Sequence, residues 1–126
     1  MITVLEGKII ENDPIILASI NNEGFLSIKE KGEIALTVDT GFIGGIAVPE
    51  KVISKLKVEF KAFQWFVLAN GDEIKLKLYK GVVVINNKNI MTMFVEGDYL
   101  IGLDFLNALG NMLCFDFKRE IVKLMI

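Results

Sequence analysis

Short apolar segments broken by polar punctuation run the length of the chain, and no helical period persists beyond about three turns, so the pattern predicts an all-β fold. Thr3 to Ile10, Ile15 to Ile20, Phe25 to Ile28 and Glu33 to Val38 read as successive strands. Glu11-Asn12-Asp13-Pro14, Asn21-Asn22-Glu23-Gly24 and Lys29-Glu30-Lys31-Gly32 separate them as turns. Pro49 to Leu56 reads as a short helix, because proline suits a first helical turn and Val52, Ile53 and Leu56 then share a face.

The stretch from Phe60 to Tyr79 carries the strongest hairpin signal. Asn70-Gly71 can take the positive φ angles of a type I′ turn, and Ile74, Leu76 and Leu78 then alternate with Lys75 and Lys77, leaving one face apolar and one solvated. Trp65 and Phe66 on the other arm face opposite sides. A second hairpin turns at Asn86-Asn87-Lys88-Asn89, between Val82 to Ile85 and Ile90 to Val95. Asp98 to Gly102 reads as a strand leading into a helix over Asp104 to Leu109, with Gly110 placed for a left-handed cap. Met112 to Phe117 and Ile121 to Met125 are the last strands, and no linker or repeat divides residues 1–126 into more than one domain.

Composition narrows the chemistry. With 126 residues a core can form, but a deep enclosed cleft is hard to build unless two chains share it. The balance of 14 basic against 16 acidic residues lacks the positive excess that phosphate backbones require, which argues against a nucleic-acid partner. Charges interrupt the first apolar stretch at Glu6 and Lys8, and no apolar run approaches the roughly 18 residues of a membrane span. The expectation is a soluble, cytoplasmic protein, and abundant Lys, Glu and Ile with a single glutamine, Gln64, hint at a thermophilic source.

The zeros exclude more. With no histidine and only Cys114, one chain cannot supply a Ser-His or Cys-His pair, a zinc site of the usual ligands, or an internal disulfide. Acid-base chemistry must fall on carboxylates, lysines or tyrosines, and no metal or cofactor is called for. Asp104 reads as a helix cap, Asp116 as a solvent-facing strand residue, Cys114 as a small buried hydrophobe, and Lys75, Lys77 and Lys80 as a solvated face.

One segment is different in kind. Val38-Asp39-Thr40-Gly41 puts a carboxylate at the end of an apolar strand, followed by a hydroxyl and a residue without Cβ that lets backbone approach closely. Asp-Thr-Gly arises by chance in about one or two per cent of chains of this length, so the tripeptide alone does not decide, and an Asp capping a turn is the plain alternative.

The ordered context adds to it. Leu36 to Pro49 around Asp39-Thr40-Gly41, then Leu68-Ala69-Asn70-Gly71-Asp72, then Leu100-Ile101-Gly102-Leu103-Asp104-Phe105-Leu106, and finally Phe115-Asp116-Phe117 together resemble the retropepsin-like aspartic proteases, above all their small prokaryotic single-domain members. The likeness runs over roughly residues 7 to 125. It implies a closed acid-protease barrel with one or two short helices, assembled as a homodimer in which each chain gives one catalytic aspartate. Asp39 would be that acid, Thr40 would hydrogen-bond across the two-fold axis, and Gly41 would offer its carbonyl to a peptide substrate. Ala69, Asn70, Gly71 and Asp72 would form the tip of a flap over the substrate, and Leu100-Ile101-Gly102 would pass behind the Asp39 loop. Phe42 stands where retroviral members carry alanine and pepsin-like members serine or threonine, as it does in the small prokaryotic ones.

The implied chemistry needs two chains. Two carboxylates about 3 Å apart cannot both ionise cheaply, so the pair holds one proton over a wide pH range; the ionised member activates water while the protonated one donates to the scissile carbonyl. Beside this endopeptidase reading stand a non-catalytic dimerisation or peptide-binding module that keeps the fold, and a carboxylate-based metal or small-ligand site.

Overall fold

Eleven strands and two short helices make up the chain, and the computed structural model describes all of residues 1–126. In order they are β1 (Thr3–Ile10), β2 (Asp13–Ile20), β3 (Leu26–Ile28), β4 (Ile34–Val38), β5 (Ile46–Val48), α1 (Glu50–Ile53), β6 (Glu59–Val67), β7 (Glu73–Ile85), β8 (Lys88–Glu96), β9 (Leu100–Ile101), α2 (Leu103–Leu109), β10 (Met112–Asp116) and β11 (Ile121–Met125). The order β2-β3-β7-β8-β5-β9-β4 returns to β2 through the β2–β4 pairing, so seven strands close into a barrel. β1, β11 and β10 extend the sheet from β2, and β6 attaches only to β7. No helix is long and apolar enough to cross a membrane.

Alternation places the core. Ile34, Leu36 and Val38 of β4 point inward while Ala35 is exposed, and Leu5 and Ile9 of β1 and Ile16 and Ala18 of β2 follow the same period. All three residues of β5 are buried, as expected of a strand covered on both faces. Phe94 and Phe105 are the largest fully buried side chains. Burying each contributes about 1.5–3 kcal/mol.

The turns differ from the sequence reading in an instructive way. Type I′ geometry, with positive φ at both central residues, occurs at Glu11-Asn12 (49° and 70°) and Asn86-Asn87 (49° and 66°), where β1–β2 and β7–β8 close without any glycine. At the Asn70-Gly71 turn only Gly71 has positive φ, +90°. Leu68 N–H donates to Asp72 O at 2.7 Å and Gly71 N–H to Leu68 O at 2.9 Å, which makes Ala69-Asn70-Gly71 a three-residue loop ending in a glycine bulge. The Asn70 side chain fixes this form by accepting from Asp72 N–H at 2.9 Å and donating to the Asp72 carboxylate at 3.0 Å.

Other boundaries also move. The segments expected to end at Tyr79 and begin at Val82 are one thirteen-residue strand, β7, because Gly81 lies beneath the Phe94 ring and Val58, where a Cβ would come within 2.7–2.8 Å. The Pro49 helix shortens to Glu50–Ile53, with Pro49 as its extended N-cap. The strand expected from Asp98 to Gly102 is paired only at Leu100–Ile101. Gly110 is not a left-handed cap: its φ is -150° and ψ 178°. Glycine is needed there because β11 passes close by, with Leu124 Cγ only 2.7 Å from where a Cβ would stand. Nor does Asp104 cap α2; the N-cap is Gly102, without a side-chain hydrogen bond, and Asp104 occupies the first turn. Asp116 is exposed as expected and accepts from Arg119 N–H at 3.0 Å.

Candidate functional site

β4 and β9 run parallel, pairing Thr37 with Leu100 and Val38 with Ile101, and the chain leaves both strands at the same level. Asp39 follows β4 directly. Its N–H donates to Ile101 O at 2.9 Å, its Oδ1 accepts from Gly41 N–H at 2.8 Å, and its own carbonyl accepts from Phe42 N–H at 3.2 Å. The side chain is half-buried, whereas Thr40 and Gly41 are exposed. A Cβ on Gly41 would come within 3.1 Å of the Asp39 carboxylate, so a larger residue would crowd the oxygen that the Gly41 amide now holds.

The rest of the loop rests on the backbone that follows β9. Gly102 N–H donates to Gly45 O at 2.7 Å, Leu103 N–H to Phe42 O at 2.8 Å, and Asp104 N–H to Ile43 O at 3.0 Å and Gly44 O at 3.2 Å. Gly102 has no room for a side chain, because a Cβ would overlap Gly44 O and stand 2.7 Å from the Phe42 ring. Ile101-Gly102 therefore lies directly behind the Asp39 loop, and the Phe42 ring covers Gly44.

Register ties this loop to the root of the long hairpin. Val38 pairs with Ile101, Ile101 with Ile46, Ile46 with Phe94, Phe94 with Tyr79 and Tyr79 with Phe60, so one row of partners crosses from β4 to β6. Its first four members are buried, and Tyr79 packs against the same core. Ala69, Asn70, Gly71 and Asp72 are all exposed at the far end of the hairpin, and no hydrogen bond joins them to the Asp39 loop.

Asp39 is the acid within this loop, and Asp104, whose amide bonds the loop, stands in the first turn of α2. No three His, Cys, Asp or Glu side chains gather anywhere in the fold. Beside the loop, Thr40, Leu103, Leu106, Asn107, Met112 and Leu113 line an open depression of about 340 Å³. Leu103 and Met112 in its lining, and Ile43 in the neighbouring Asp39 loop, are large exposed hydrophobics, at 43%, 44% and 71% of full exposure, as are Met1, Ile2 and Ile126 at the paired termini. The sequence singled out none of Ile43, Leu103 and Met112 as a site residue, because nothing local distinguishes an apolar side chain left exposed from one that is buried. A second cleft, of about 330 Å³ between β1 and the β2–β3 side, is lined by none of the Asp39 loop.

Glu33, just before β4, is held by a neighbouring hydroxyl. The Ser19 hydroxyl donates to Glu33 Oε2 at 2.8 Å and, with the Glu33 backbone amide, holds that acid below the usual carboxylate range. No family model matches the chain, and no curated protein matches it.

Proposed function

We propose that this chain is a retropepsin-like aspartic endopeptidase that works as a homodimer, with Asp39 from each chain forming the dyad. The observation that carries the reading is the seating of Asp39: an acid at the end of a barrel strand, with one oxygen held by Gly41 N–H and the loop braced from behind by Ile101-Gly102. That bracing matters because a dyad works only if both carboxylates are fixed in position before substrate arrives.

In the dimer the exposed Thr40 and the apolar rim of Ile43, Leu103 and Met112 meet their symmetry copies, and the termini join them. Covering that rim gives the association its hydrophobic part. The two Asp39 carboxylates then share a proton. The ionised one takes a proton from a water molecule, the resulting nucleophile adds to the scissile carbonyl, and the protonated one donates to the carbonyl oxygen. Collapse of the tetrahedral intermediate passes a proton to the leaving amine and restores the singly protonated pair. The β6–β7 hairpin serves as the flap, with Ala69-Asn70-Gly71-Asp72 at its tip, and its exposed backbone groups pair with an extended peptide as an added strand.

Cleavage of an unfolded protein or a peptide library by the intact chain tests this, with Asp39→Asn as the comparison. Asparagine keeps the Oδ1 that accepts from Gly41 but cannot act as the base, so cleavage is lost while the fold persists. Equal cleavage by both proteins between pH 3 and 7 sinks the proposal. The second reading, a peptide-binding module without catalysis, is favoured by the exposed aromatic hairpin, which needs no acid at position 39.

A further inference from the structure

We propose that the hairpin face carrying Phe63, Trp65, Lys75 and Lys77 receives an extended peptide bearing carboxylate side chains, and that the two lysines set this preference. The inference rests on the endopeptidase reading only for what becomes of the peptide afterwards.

The face is defined by register. β7 is free of bulges from Glu73 to Ile85, so its side chains keep a period of two over the whole length. Gly81, Val83 and Ile85 point into the barrel, Tyr79 packs on the core, and the same side continues outward as Lys77, Lys75 and Glu73. Their partners on β6 are Phe63, Trp65 and Val67. The bulge between Phe60 and Ala62 lies in β6 and brings Phe60 onto this side as well, where its ring meets Phe63 at 5.4 Å and Tyr79 at 6.0 Å. Lys75 and Lys77, two of the three lysines that read as a solvated face, thus lie on the side that prolongs the barrel interior, beside a strip of aromatic rings, whereas Lys80 lies on the opposite side.

The face is uncovered and its charge is uncompensated. Phe63, Trp65 and Val67 are 53%, 63% and 71% exposed, unlike the aromatic residues of the barrel. Neither Lys75 nor Lys77 takes part in an ion pair, and Glu73, near the tip, is the only acid on this side of the hairpin. Lys75 Nζ lies 4.8 Å from the centroid of Phe63, which leaves ammonium hydrogens free for a partner. An extended peptide matches such a surface: its apolar side chains cover Phe63 and Trp65, and a carboxylate on the same side reaches the lysines. A second copy of the hairpin would bring the same unpaired lysines, and two lysines in a chain of net charge -2 are a poor footprint for a nucleic-acid backbone.

Trp65 is the only tryptophan, so its fluorescence reports on this face directly. The full chain carrying Asp39→Asn is titrated with three peptides of equal length that differ only in having two Glu, two Gln or two Lys, and with oligothymidylate. The Glu peptide shifts Trp65 emission to the blue and binds roughly tenfold tighter than the Gln peptide at low salt, the yield of two exposed ion pairs. That margin narrows as salt rises. Lys75→Gln with Lys77→Gln abolishes the margin, and Lys75→Glu with Lys77→Glu transfers the preference to the Lys peptide. Equal affinity for Glu and Gln peptides overturns the proposal, as does tighter binding of oligothymidylate. So does an emission that is already blue and depends on protein concentration, because the face is then covered by a second copy. Failure of the endopeptidase reading looks different: the chain with Asp39 intact binds the Glu peptide and leaves it uncut.

Discussion

Replacing Gly102 by alanine probes the brace behind Asp39 with a single methyl group. Gly102 has φ -98° and ψ 175°, a backbone conformation open to any residue, so the substitution adds no dihedral strain. Its cost is steric. The new Cβ would overlap Gly44 O and approach Gly44 C at 2.8 Å and the Phe42 ring at 2.7 Å, and backbone cannot swing aside as a side-chain tip can. Overpacking of this kind costs about 1–3 kcal/mol, and the lower entropy of the unfolded alanine chain offsets about 0.4–1 kcal/mol of it. A net loss of about 1–2 kcal/mol lowers the urea midpoint by about 0.5–1 M for a chain of this size. Because Gly102 N–H holds Gly45 O and Ile101 O holds Asp39 N–H, the relaxation moves the Asp39 loop, and cleavage falls further than stability does. Gly97→Ala is the control, since a Cβ there meets only Ala47 Cβ at 3.5 Å, an ordinary contact. Coincident urea midpoints for the two variants would refute the claim that the Ile101-Gly102 backbone supports the loop.

Gly71→Val forces a β-branched residue into φ +90° where nothing lies within 4 Å of its Cβ, so peptide binding and cleavage weaken strongly while the thermal midpoint changes little; unchanged kinetics would remove the hairpin from the site. Ile43→Glu puts a charge on a residue 71% exposed beside Asp39, and sedimentation at tens of micromolar should then show monomer where the unmodified chain gives dimer; an unaltered dimer would place the interface elsewhere. Ser19→Ala raises the Glu33 pKa toward its ordinary value of 4.5, read by carboxyl NMR titration. Because the folded-state value is depressed, the Ser19–Glu33 bond adds stability above the unfolded-state pKa and loses it as pH falls through the folded value, so the two proteins should converge in stability in acid.

Local pattern made the outer strands legible. Thr3–Ile10 and Ile121–Met125 have the bounds that alternation and turn residues predict. Alternation alone does not show barrel closure, which depends on pairings between separated segments, such as β2 with β4, β3 with β7 and β4 with β9; the closed barrel was expected from the family resemblance, and the strands do close. The turns show the same division. Asn-Gly fits both a two-residue type I′ turn and a three-residue loop with glycine alone at positive φ, and the register between β6 and β7 selects the second. Gly110 reads locally as a helix stop, yet proximity to Leu124, fourteen positions along the sequence, is what excludes a side chain. The Asp39 loop was visible as a motif, and its bracing by Ile101-Gly102 emerges from the parallel pairing of two short strands. The side of the hairpin on which Lys75 and Lys77 lie was hidden because Gly81 made one strand read as two.

If two copies of Asp39 form one catalytic pair, as proposed, their carboxylates must come within reach of a shared proton, and the distance between them decides the matter. A crystal structure of the assembly that cleaves peptide, determined with an uncleavable extended peptide bound, supplies that distance. The expected result is a two-fold dimer in which the nearest carboxylate oxygens of the two Asp39 residues lie about 3 Å apart, close enough to share a proton, with the peptide between them and the β6–β7 hairpins. Two Asp39 carboxylates more than about 8 Å apart, too far for a shared proton, or a monomer that binds and cleaves the peptide, would contradict it.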